Sequence, residues 1–238
     1  MSDHPEILAI PLWINGRAFL TMARAFFAVR DPRNGRVLRR TPLCGVDEAG
    51  AVIDSACQAV DHWQTVPRTE RGQLLAALAD ALAGYDAHFA GLIDEESGKG
   101  EALATAEVAD AVHLLRDTSA ESGRAAADAG HPHVVAVVSD DQTPLLGLLR
   151  HAVPALLAGA TVIIKPSPKA PSAAFAFAEL TAQCGFPPGV FNLLQGDLAA
   201  IEGLCADDRL GELRFTGDRA LSDQVARIAA SCGRTFVT

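Results

Sequence analysis

Five cysteines could supply a thiolate nucleophile, and the surroundings of each argue against it. A reactive thiolate needs a helix amino terminus or a basic neighbour. Cys184 and Cys232 each precede a glycine that ends a helix, where the dipole opposes negative charge. Cys205 is followed by Asp207 and Asp208, and Cys57 falls on the apolar face of a helix. Cys44, just ahead of a helix expected to start with Asp47 as its cap, is the least unsuitable. All five read as small buried residues. An odd number with no CxxC pair offers neither a disulfide framework nor a zinc site, and a reducing, cytoplasmic setting is the default. His131 and His133 flank Pro132 without a third ligand and read as surface-loop residues.

Binding chemistry has better material at the ends of short apolar runs. Val134 to Ser139, Thr161 to Lys165, Val190 to Leu194, Leu213 to Thr216 and Arg234 to Val237 are apolar stretches without polar alternation. Amphipathic segments separate them, ending at Gly159, Gly185 and Cys232. That order predicts a parallel, doubly wound sheet with helices on both faces, an α/β fold of the Rossmann-like kind. Ligands of such sheets lie outside the carboxyl ends of the strands, where Lys165 and Gly217 fall. Taken alone, Lys165-Pro166-Ser167 is a polar strand end followed by a helix-starting turn.

Short N-terminal strands and a helical segment precede this part. Leu12 to Arg17 is a brief apolar run with a turn signal, and Asn34-Gly35 marks a hairpin between Phe26–Arg30 and Arg36–Arg40. The basic group Arg30, Arg33, Arg36, Arg39 and Arg40 flanks that hairpin and reads as a solvated edge. Four helices follow, with apolar positions at helical spacing: Val52, Ile53, Ala56, Val60 and Trp63; Leu74, Leu75, Leu78 and Leu82; Phe89, Leu92 and Ile93; Val108, Ala111, Val112 and Leu115. Residues Ser122 to Gly130 are rich in Ala and Gly and are the best candidate for a linker. The expected organisation is a single unit over 1–238, with strands and helices in 1–121 and the Rossmann-like part in 131–238.

The composition is that of a globular chain, with 49% hydrophobic and 21% charged residues. A net charge of −9 argues against nucleic acid as a partner. The most apolar stretch, Leu145 to Ile164, carries Arg150, His151 and Pro154 and is no membrane span.

Several motifs carry a more specific resemblance. They are Ile14-Asn-Gly16, Asp31-Pro32 with Gly35-Arg-Val-Leu38, Trp63 with Glu70-Arg71, and Glu96-Ser-Gly-Lys99. Pro154-Ala-Leu-Leu-Ala-Gly-Ala-Thr-Val-Ile-Ile-Lys-Pro-Ser167, Gly185-Phe-Pro-Pro-Gly-Val-Phe-Asn192, Gln195-Gly-Asp197 and Phe215-Thr-Gly217 follow. In order and spacing the series resembles the aldehyde dehydrogenase family from about residue 12 onward. The resemblance implies a cofactor-binding part with Lys165, Ser167, Gly196, Thr216 and Gly217 as its NAD or NADP contacts. Lys165 would hydrogen-bond the adenosine ribose, and the backbone at Gly217 would approach the pyrophosphate. The family's nucleophilic cysteine and glutamate base would lie beyond Thr238, and Cys44 belongs to another motif.

Within the motifs the chain departs from the family. Asp140-Asp-Gln-Thr-Pro144 stands for Pro-Trp-Asn-Phe-Pro, aligning Gln142 with the oxyanion asparagine and adding two carboxylates. Pro168 replaces the glutamate of Lys-Pro-Ser-Glu, and Asp218 replaces the serine of Phe-Thr-Gly-Ser. A glycine expected a few positions later aligns near Ser222, and Ser122 to Pro132 is too short for the family's oligomerisation hairpin. These changes imply weak or lost NAD(P) binding. The expected role is a non-catalytic scaffold or subunit with a protein partner or a second copy. It is similar in kind to the catalytically dead aldehyde dehydrogenase-like domain of long proline-utilisation proteins. The alternatives are the NAD(P)-binding half of a split dehydrogenase and a decayed or truncated product.

Overall fold

The computed structural model describes residues 9–124 and 133–238. Its first element is a tight hairpin: β1 (Leu12–Ile14) pairs antiparallel with β2 (Arg17–Phe19). Asn15 and Gly16 form the turn with φ of 53° and 72°. Two successive left-handed residues are what a two-residue hairpin turn requires, and Asn-Gly adopts them most readily. A second hairpin joins β3 (Phe26–Arg30) to β4 (Val37–Pro42). In its turn the Asp31 carboxylate accepts from Arg33 N and Asn34 Nδ2.

Four helices follow: α1 (Val46–Thr65), α2 (Arg68–Gly84), α3 (Asp86–Ser97) and α4 (Glu101–Ala120). Asp47 is not the cap of α1. The cap is Gly45, whose N–H donates to Glu48 Oε2 at 3.0 Å, and Asp47 lies in the first turn. Glu48 satisfies that amide by reaching back, so the helix begins before the expected cap. The basic hairpin is also less solvated than its composition implies. Arg33 meets Asp94 at 2.8 Å, and Arg39 meets Glu95 and Glu96 at 2.9 and 3.1 Å, fastening the hairpin to α3. Arg30, Arg36 and Arg40 remain exposed.

The second half alternates as the sequence predicts: β5 (Val134–Ser139), α5 (Leu146–Ala158), β6 (Thr161–Lys165), α6 (Ser172–Gln183), β7 (Phe191–Leu193), α7 (Leu198–Ala206), β8 (Glu212–Thr216), α8 (Arg219–Ser231) and β9 (Thr235–Val237). The sheet order is β2-β1-β7-β6-β5-β8-β9, parallel from β7 to β9. Successive residues of β5 point to opposite faces. Val135 and Val137 join a core with α2, α4, α5 and α6; Val134, Ala136 and Val138 join one with α7, α8 and the first turns of α1. All six β5 residues are therefore buried, which is why the strand reads as an apolar run without alternation. The chain has a Rossmann-like α/β sheet with helices on both faces.

The first hairpin belongs to this same sheet. Trp13 of β1 is in register with Leu193 of β7, antiparallel, and β2 forms the outer edge. Strands from 1–121 and 131–238 are thus hydrogen-bonded together. Arg71, buried, reinforces the junction by donating to the carbonyls of Val66 at 2.7 Å and Leu157 at 3.0 Å. Of the expected linker, Glu121–Gly123 is a 3-10 turn, and residues 125–132, with His131, lie outside the described residues. Among the described residues no helix is long and apolar enough to cross a membrane.

Candidate functional site

The parallel sheet reverses its winding at β5, with β6 on one side and β8 on the other. Crevices outside the carboxyl ends of strands at such a point are where doubly wound sheets take ligands. Lys165 ends β6, Ser167 lies two residues beyond, Thr216 ends β8 with Gly217 next, and Gly196 follows β7. The fold therefore brings all five candidate residues to one rim of the sheet. Gly217 has φ of 156°, and a Cβ there would stand 2.7 Å from the Asp140 carboxylate. Its glycine is required by a close approach within the chain itself. Gly196 likewise packs its backbone against that of Cys44.

Each helix that follows a parallel strand carries a carboxylate at its amino end. The first N–H groups of a helix have no partner within it and attract anions. At α5, Glu107 Oε1 accepts from Leu145 N at 2.9 Å and Leu146 N at 3.0 Å. Its other oxygen takes Lys99 Nζ. At α6, Glu96 accepts from both Ser172 N, at 3.0 Å, and Ser172 Oγ. Burial pushes the Glu96 carboxyl above the usual range, with Ser172 and Arg39 opposing. Asp197 caps α7 through Ala199 N at 3.1 Å, and Asp218 caps α8 through Leu221 N at 2.9 Å.

Asp140, just past β5 and 3% exposed, completes the set. Its Oδ2 accepts from Asp218 N at 2.8 Å and its Oδ1 from Gln142 N at 2.9 Å. The two carboxylates that this loop adds beside the position aligned with the oxyanion asparagine part company. Asp140 turns inward to amides, and Asp141 faces Lys169 at 3.6 Å. Gln142 is exposed, and its carbonyl accepts from Lys99. Glu107 and Asp140 were not legible as anchors, because their partners are backbone amides. Glu96 had a signal, the Glu96-Ser-Gly-Lys99 motif, but no assigned partner.

Lys165 is the exception on this rim. It is 4% exposed, and no hydrogen bond or ion pair of its side chain occurs among the described residues. Burial lowers its pKa from 10.5 to about 8, with the charge of Asp197 opposing. Below pH 8 the folded and unfolded chains both hold the proton, so the burial penalty acts in full. Between pH 8 and 10.5 only the folded amine has lost it, and stability rises with pH. Lys165→Met is therefore expected to stabilise the fold at pH 7 by on the order of 1–3 kcal/mol. The gain should shrink toward pH 10, as urea unfolding at the two pH values would read. Equal stabilities at pH 7 would mean that the amine is well solvated.

The cysteines differ from one another. Burial pushes the Cys44 thiol to about 12 and Cys205 to about 11. Cys44, expected to be the least unsuitable nucleophile, is thus held protonated beneath Glu48. Cys57, Cys184 and Cys232 are half-buried rather than buried, being packed only at the margins of the two cores. His133 is exposed with Nδ1 at 2.6 Å from Gln64 Nε2, and the described residues contain no group of three metal-ligating side chains.

A Rossmann-like sheet with a topological switch point at β5 defines the class, a doubly wound α/β domain. The aldehyde dehydrogenase family model matches residues 20–237, and the chain belongs to that family. Human mitochondrial succinate-semialdehyde dehydrogenase is 32% identical over 213 residues, covering 82% of this chain and 40% of its own length. The rat enzyme is 29% identical over 246 residues, covering 96% of this chain and 47% of its own. Among solved structures, lactaldehyde dehydrogenase from Escherichia coli superposes with a TM-score of 0.90 at 26% identity, over 97% of this chain and 52% of that one. The chain spans about half the length of the curated relatives it matches.

Proposed function

We propose that this chain is a non-catalytic aldehyde dehydrogenase-like protein, a scaffold or partner subunit in which NAD(P) binding is relaxed or lost. The observation that carries the reading is the Asp140 carboxylate seated on the Asp218 amide. The amide nearest Gly217 already has an anionic acceptor, and the carboxylate of Asp218 caps the next turn. A pyrophosphate approaching there meets two negative charges and no free donor from residue 218. Repulsion of one such charge at ~4 Å is worth about 1–4 kcal/mol, depending on the local dielectric. The cysteines support the same reading, since burial raises the thiols of Cys44, Cys57, Cys184 and Cys205.

A partner or a second copy is favoured by exposed apolar side chains around the start of α1. Leu20 is 75% and Met22 98% exposed; Thr21 between them bonds Glu48, which draws this segment toward Val46, itself 64% exposed. A reducing, cytoplasmic setting accompanies this reading.

Lys165 favours a second reading, the cofactor-binding half of a split dehydrogenase, because it leaves a buried amine unpaired on the rim. Calorimetric titration with NAD and with NADP separates the two. No saturable heat up to millimolar cofactor is the result expected. Micromolar binding would overturn the scaffold reading in favour of the split enzyme.

A further inference from the structure

The chain has three lysines, and each stands in a different environment. Lys99 is an ion-pair partner of Glu107 and also donates to the carbonyl of Gln142. Lys169 has a side chain 61% exposed, with Asp141 at 3.6 Å. Lys165 is buried at the end of β6 and has no partner among the described residues. The flanking strand ends also leave polar atoms uncommitted: Ser139 Oγ ends β5 and Gln195 Oε1 follows β7, both buried with no hydrogen bond among the described residues. Lys165 is in register with Val138, the residue before Ser139.

An amine is nucleophilic only as the free base, and hydration and ion pairing hold it as the ammonium ion. At Lys165 hydration is reduced, the residue being 4% exposed, and no ion pair forms among the described residues, whereas Lys99 keeps its pair and Lys169 keeps its water. We infer that Lys165 is the reactive one of the chain's three lysines and that it forms a reversible imine with small carbonyl compounds that reach this end of the sheet. The inference rests on the cofactor reading above, since a bound dinucleotide would cover the amine.

The step needs no other reactant. The lone pair on Nζ attacks the carbonyl carbon, a C–N bond forms, and the π electrons move to oxygen, which takes up a proton. The hydroxyl of the carbinolamine takes a second proton, its C–O bond breaks as the nitrogen lone pair forms the C=N bond, water leaves, and nitrogen gives up its last proton to leave the neutral imine, so that the two protons gained by oxygen equal the two lost by nitrogen. Asp197, whose charge acts on Lys165, caps α7 on the same rim.

The test uses the full chain, acetaldehyde at low concentration, sodium cyanoborohydride at pH 7 and peptide mass mapping. Reductive alkylation should fall on Lys165 at least about tenfold faster than on the far more exposed Lys169. That rate ratio corresponds to about 1.4 kcal/mol. Lys165→Arg, which keeps a positive charge but has no amine that can form an imine, should leave only the slow background at the other lysines. Modification of Lys169 first, or equal rates at the two, would overturn the inference. Millimolar NAD in a parallel reaction reports separately on the cofactor reading. Protection of Lys165 by NAD would defeat that reading while leaving the amine's reactivity in place.

Discussion

Glu107→Ala is expected to destabilise the fold by about 3–5 kcal/mol, the range for removing one partner of a buried ion pair. The Glu107 side chain is 4% exposed and serves three donors from two other segments. Without it, Leu145 N and Leu146 N begin α5 unpaired, and Lys99, 16% exposed, keeps a half-buried charge with only the Gln142 backbone carbonyl opposite it. Each orphaned amide adds about 1–3 kcal/mol where water cannot replace the lost acceptor. Glu107→Gln should lose less, since its carbonyl oxygen can still accept while the attraction to Lys99 is gone. Urea unfolding followed by the fluorescence of buried Trp63 would measure both. A loss below about 1 kcal/mol in the alanine variant would show that the α5 amides are satisfied elsewhere, and the account of a carboxylate-filled rim would fall.

What the sequence disclosed about this fold was mostly local. Val134 to Ser139 and Thr161 to Lys165 read correctly because a strand covered on both faces must be apolar at every position. Gly159 ended its helix as expected, in the left-handed conformation that releases the chain. Pairing between distant strands left no such trace. Nothing in Leu12-Trp-Ile predicts a place beside Phe191–Leu193, because a three-residue strand has too little pattern to specify its neighbour.

The site was legible in its positions and less so in its charges. Lys165, Thr216 and Gly217 lie on the rim where strand ends must fall. Asp140 and Asp218 were readable as negative charges in an anion site, but their acceptor roles were not. A carboxylate that caps a helix and one that faces solvent have the same letter; only the direction of the backbone N–H groups distinguishes them. The same limit hid Glu107, whose place on α4 looks like any polar position of a helix until the start of α5 is laid against it.

Removing the two rim charges is expected to restore dinucleotide affinity. In a variant carrying Asp140→Ala and Asp218→Ser, the amide of residue 218 loses its internal acceptor and becomes free for a phosphate oxygen. Serine keeps a side-chain acceptor at the cap of α8, so the helix start survives. Relief of about 1–4 kcal/mol of repulsion at ~4 Å corresponds to a gain of at least about fivefold in affinity for NAD, at about 1.4 kcal/mol per tenfold. The same change should lower stability by about 1–3 kcal/mol, because Asp140 now satisfies amides that the alanine leaves bare. Affinity and stability therefore move in opposite directions if the carboxylates close the site. Calorimetry with NAD and urea unfolding on the same preparation would read both. A folded double variant that stays silent to millimolar NAD would assign the loss elsewhere, with Pro168 beside Lys165 as the next residue to restore.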